Sequence, residues 1–148
     1  MIRHLTVAAC LLILILLSSC KEYSTGLERS VVRANETATV ALLHAIAVAE
    51  RTYSISNQGE YATLQQLVDG GLLAASYGGE KPLKDYVITM NVTPKASGVG
   101  QGSYTCNADP DTNREIVGRH LYIDSTSDQI HVNDTQPASA SDKVIGQE

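Results

Sequence analysis

This chain contains no phenylalanine and no tryptophan, so its seven tyrosines supply all the aromatic bulk. Tyrosine usually buries its ring and keeps its hydroxyl near water or a partner, so the core must be mainly aliphatic. Positive charge is also scarce: 11 lysines and arginines stand against 16 acids, a formal charge of −5. That balance argues against nucleic acid and against electrostatic attachment to anionic lipid. No proline occurs before Pro82, and no glycine lies between Gly26 and Gly59, so nothing in that stretch breaks a helix. Cysteine is limited to Cys10, Cys20 and Cys106. No nucleophile elbow, HExxH or P-loop is present. Gly98-Val99-Gly100-Gln101-Gly102 precedes an expected strand, whereas a dinucleotide fingerprint follows one and opens a helix.

What is present begins with "LLILILLSSCKEY". The apolar run from Leu5 to Leu17 follows Arg3 and ends at Ser18, Ser19 and Cys20. As a helix it is roughly 20 Å long, short of the roughly 30 Å hydrocarbon core. A positive start, a short apolar stretch and small residues at the exit describe a secretory signal. Leu17-Ser18-Ser19-Cys20 resembles the lipobox of bacterial lipoproteins, which implies cleavage before Cys20 and acylation of its thiol. The alternatives are an ordinary signal peptide that happens to contain a cysteine and an uncleaved anchor. The lipobox reading divides the chain into a signal at 1–19, a lipidated tether at 20–27, a folded domain at 28–133 and a disordered tail at 134–148. On that reading Cys10 leaves with the signal and Cys20 is the lipidated end, which leaves Cys106 as a lone thiol and excludes a disulfide framework within one chain. Loss of Arg3 takes the mature charge from −5 to −6. The folded part, roughly 105 residues, suffices for one small core.

Thr25-Gly26-Leu27-Glu28 fits a capping box, which predicts a helix from there to about Ile55. Val31, Ala34, Ala38, Leu42, Ala45, Ala49 and Tyr53 draw one apolar stripe, widened by Val40, Leu43, Ile46 and Val48. Thr63-Leu64-Gln65-Gln66 opens a second, short helix, with Leu64, Leu67 and Val68 buried and Gly70 as a left-handed cap. Strand alternation then marks Tyr86, Ile88, Met90 and Val92, the segment Ser103 to Cys106, and a last hairpin carrying Leu121, Ile123, Ile130 and Val132. Leu42 and Ile46 are expected to pack on that hairpin. The fold class is α+β, a long N-terminal helix on a small antiparallel sheet of three to four strands.

The long helix, "GEYATLQQLVDGGLL" and the late "GRHLYIDSTSDQIHV" resemble the globular half of type IV pilins and type II secretion pseudopilins. The resemblance covers roughly residues 34 to 133 and implies a helical spine on an antiparallel sheet. The pilin processing site and its glutamate are not present, and the lipobox stands in their place. A pilin-like head held by lipid is the expected arrangement.

Candidate chemistry is sparse. Asp109, Asp111 and Asn113 place oxygens at alternate positions like the opening of a calcium loop, and pseudopilins carry calcium in a late loop. Yet the expected glycine is Arg114 and the expected glutamate is His120, so a solvated turn is the plainer reading. His120 and His131 share a hairpin face, but zinc needs a further ligand that nothing nominates. His44 reads as a half-buried, hydrogen-bonded histidine in the helix, and Cys106 as a small buried hydrophobe. The expected function is therefore a non-enzymatic lipoprotein of the bacterial envelope, without cofactor or metal, attached through Cys20 and serving a protein partner. The alternatives are an accessory or minor subunit of a type IV pilus or type II secretion system and, more remotely, a small envelope hydrolase. Lys21 after Cys20 favours the outer membrane.

Overall fold

Apolar residues at helical spacing, unbroken by proline, make the N-terminal third a single helix. In the computed structural model α1 runs Ile2–Ser56. The structure describes residues 2–79, 82–96, 100–113 and 118–147, with side chains from Gly26 onward. The chain divides into two compact units, Met1–Ala34 and Asn35–Glu148.

In the first unit the described backbone is helix throughout, so the helix start expected at Thr25 is corrected. A lone glycine costs a helix only about 1 kcal/mol, and Gly26 has no proline beside it to end the turn. Leu27 and Val31 are exposed there.

In the second unit α1 buries Thr39, Leu42, Leu43, Ile46, Ala47, Ala49 and Glu50. Val31, Ala34 and Ala38, expected on the buried stripe, are exposed. Val48 and His44, expected to be covered, also face solvent. Val48 sits two positions from Ile46, about 200° around the helix, so it points away from the core. Over Gly26–Ser56 this helix is long and apolar enough to cross a membrane. A core helix passes the same test, and residues 39–50 are packed in this one.

The second helix, α2 (Leu64–Asp69), has the expected capping box. Thr63 Oγ1 accepts from Gln66 N at 3.3 Å, and Gln66 Oε1 accepts from Thr63 N at 2.8 Å. Gly70 keeps a right-handed φ of −77°, and the left-handed turn falls one residue later, at Gly71 with φ +69°.

The sheet has five antiparallel strands in sequential order: β1 Tyr86–Thr93, β2 Ser103–Pro110, β3 His120–Asp124, β4 Ser127–Asn133 and β5 Lys143–Val144. α1 packs against it, which makes the domain α+β. β2 extends past its expected end at Cys106. Tyr104, Cys106, Ala108 and Pro110 face inward, while Thr105, Asn107 and Asp109 face outward and give the segment its polar look. Leu42, Ile46, Leu121, Ile123, Ile130 and Val132 share one buried cluster, as expected.

Residues 134–147 are ordered, which corrects the disordered tail. Ala138 is buried, and its carbonyl accepts from Asn107 Nδ2 at 2.8 Å. Ile145 N then donates to Ile130 O at 2.8 Å beside β5. The segment is held mostly by hydrogen bonds to polar side chains, which apolar periodicity does not register.

Candidate functional site

The outward face of the sheet collects the polar residues that the sequence singled out. Strand alternation puts Asn107 and Asp109 of β2, His120 and Tyr122 of β3, and His131 and Asn133 of β4 on that side. The register sets Tyr122 opposite His131 and His120 opposite Asn133, so the two histidines are diagonal, as the hairpin pattern predicts. Their rings are committed separately. His120 Nδ1 meets Asp109 Oδ1 at 2.6 Å. His131 Nδ1 lies 2.8 Å from the Asp142 carbonyl, which can only accept, so that nitrogen carries its proton. Tyr122 packs edge-on to His131 with ring centroids 6.2 Å apart, and its hydroxyl donates to Asp124 at 3.0 Å.

Asp142 ties the tail to this face. Its carboxylate accepts from Asn133 Nδ2 at 2.7 Å and from Ser139 N and Oγ, each at 2.8 Å. Those bonds hold its carboxyl below the usual range, the Ser139 hydroxyl contributing most. A shallow cavity of about 330 Å³ opens beside it, lined by Arg119, Asn133, Asp134, Asp142 and Lys143 among others.

The calcium-like set does not converge. Asp109 turns outward to His120, whereas Asp111 is buried past the end of β2, where its Oδ1 accepts from Asn113 N and Nδ2. Arg114 and Glu115 lie outside the described residues. Among the described residues no three His, Cys, Asp or Glu side chains cluster for a metal. Close by, Arg119 donates to Glu36 through Nε and Nη2, and Tyr86 Oη donates to the Arg119 carbonyl at 3.0 Å. Both pairs fasten the start of β3 to its neighbours.

The inward face is the opposite case. Cys106 is fully buried there, across the sheet from His120 and His131. Burial, with the Glu50 carboxylate adding to it, pushes its thiol up to about 12. Such a thiol stays protonated and is a poor nucleophile. Glu50 is the residue that the sequence reading passed over. It is fully buried; its Oε2 accepts from Ala62 N at 3.0 Å, and its Oε1 has no hydrogen-bond partner. Burial raises its carboxyl to about 7 against the weaker opposing effect of the Ala62 amide. Helical spacing was the available signal, since Glu50 lies four residues past Ile46 and seven past Leu43 on the buried arc. Tyr104, held well above the ordinary tyrosine range chiefly by burial, packs against Tyr61 nearby, with ring centroids 5.2 Å apart and the planes tilted by 58°. A recess of about 190 Å³ lies over these rings, and the Arg51–Asp128 ion pair is part of its lining.

Chemically, His120, Tyr122, His131 and Asn133 on the outward face are committed to hydrogen bonds, and Cys106 on the inward face is sealed in the core. Compared with protein-family models, curated proteins and solved structures, the chain matches none. Its fold is therefore described by its own architecture, one long N-terminal helix packed on a five-stranded antiparallel open sheet. The long apolar helix is compatible with membrane association or a signal sequence. The side chain of Cys20 lies outside those described.

Proposed function

We propose that this protein is a non-enzymatic lipoprotein of the bacterial envelope, anchored by acyl chains on Cys20 and presenting an α+β head for protein interaction. The observation that carries the reading is Leu17-Ser18-Ser19-Cys20 at the end of a short apolar run. The chemistry of the head supports it: Cys106 is buried with a high thiol pKa, and His120 and His131 face the other way. Among the described residues nothing joins a nucleophile, a base and an oxyanion site. Lys21 after the cysteine favours the outer membrane. The helix-on-sheet head favours, as a second reading, an accessory subunit of a type IV pilus or type II secretion system, which the head resembles.

The test is Cys20→Ser, with labelled palmitate and fractionation. Two or more acyl chains hold a protein stably where one does not. The parent is expected to take up label and sediment with membranes, and the variant to do neither while keeping its fold. Membrane retention of an unlabelled variant would replace the lipid anchor with an uncleaved helix.

A further inference from the structure

The two edges of the sheet are built differently. At one end β5 is only Lys143–Val144, and a short strand is a common way to blunt an edge. At the other end β1 is eight residues long, and among the described residues β2 is the only strand paired with it. Its sequence, Tyr-Val-Ile-Thr-Met-Asn-Val-Thr, holds no charge and no proline, two usual devices against edge pairing, and Pro94 comes just after its last residue. Val87, Thr89, Asn91 and Thr93 are exposed on its outward side. On its inward side Ile88, Met90 and Val92 are only half-buried, whereas Leu121 and Ile123 of the central strands are sealed. The apolar row of the core thus runs out to the edge and is only partly covered there.

We infer that β1 pairs with β1 of a second copy of this chain, antiparallel about Met90, joining two sheets into one. Pairing about that residue sets Ile88 against Val92 on the inward side and Val87 against Thr93 and Thr89 against Asn91 on the outward side. Each face therefore meets its own kind. The same register brings Asp85 of each copy opposite Lys95 of the other, five residues either side of Met90, so the seam closes with opposite charges at both ends. Recentring on Thr89 or Asn91 keeps the faces but loses that match, and a one-residue slip inverts the faces. Asp85 already accepts from Asn35, and Lys95 Nζ donates to the Gln58 carbonyl at 3.0 Å, so both charges flank the strand in held positions. A twofold seam of this kind is isologous and closed, and it ends at a dimer rather than a fibre. Main-chain hydrogen bonds supply the affinity, as in strand addition generally.

This inference deepens the reading of the head as an interaction domain and names its partner, but it does not depend on the anchor. Failure of Cys20→Ser to release the chain would leave it standing. The test uses the full chain in density-matched detergent, with mass read by sedimentation equilibrium across a concentration series. Thr89→Lys with Asn91→Lys sets lysine directly against lysine across the seam, and Thr89→Glu with Asn91→Glu does the same with acids. The parent is expected to dimerise, each variant alone to dissociate about tenfold more readily, and an equimolar mixture to recover the dimer. Recovery in the mixture distinguishes pairing from misfolding. A parent monomeric at every concentration would overturn the inference and leave the edge to a strand of a different protein. A dimer insensitive to both variants, or a mixture that fails to recover, would overturn it too.

Discussion

At the scale of single residues, the most consequential side chain is Glu50. A carboxylate with one oxygen on the Ala62 amide and the other unpartnered in the core is held closer to its neutral form than any exposed acid. Raising a carboxyl from 4.5 to about 7 means that the folded state binds a proton that the unfolded chain has released. Stability from this group is therefore highest below about pH 4.5 and falls as pH rises toward 7, by up to about 3 kcal/mol. Glu50→Gln removes the titration and keeps an oxygen for Ala62. Chemical denaturation at pH 5 and pH 8 should show the parent losing stability relative to the variant over that interval. Equal pH slopes for the two proteins would mean that Glu50 reaches water. The buried groups around it, Cys106 and Tyr104, ionise far above this window and do not confound the comparison.

At the scale of elements, α1 shows what helical periodicity can and cannot say. It identified Leu42, Leu43, Ile46 and Ala49 because one arc of a helix over a sheet repeats every three to four residues. It failed at Val31, Ala34 and Ala38, since the spacing continues along the helix whether or not anything lies beneath it. Leu42→Ala should cost about 2–5 kcal/mol in denaturant unfolding, while Val48→Ala on the opposite side should cost less than about 0.5 kcal/mol. Similar losses for both would place the buried arc elsewhere. The tail was illegible for a different reason. Asn107, His131 and Asn133 hold it through hydrogen bonds, and the partners of a polar side chain cannot be read from spacing. Asn107→Ala removes the bond to the Ala138 carbonyl and should weaken the tail by about 1 kcal/mol. Hydrogen exchange over residues 138–145 should quicken while that of α2 stays unchanged. Unaltered exchange there would mean that β5 alone holds the tail. The same contrast divides the candidate site: the diagonal of His120 and His131 followed from strand register, but the pairing of His120 with Asp109 did not.

At the scale of the whole molecule, charge and anchor make a joint claim. A membrane protein can be held by acyl chains, by basic residues on anionic lipid, or by both. The two differ in their response to salt, because attraction between exposed charges is largely screened beyond about 10 Å at 0.1 M and beyond about 3 Å at 1 M. Processed at Cys20 this chain would carry a formal charge of −6, from 10 basic and 16 acidic residues, so anionic lipid repels it on balance. Under the proposed lipid anchor, attachment comes from buried methylene groups, each contributing about 0.8 kcal/mol, and burial of apolar surface is not weakened by added salt. Membranes washed in about 1 M sodium chloride should therefore keep the parent protein in full. Enzymatic removal of the acyl chains should release it even at low salt. Release of the acylated protein by salt alone would show that a basic surface or a charged partner, not lipid, holds it at the membrane.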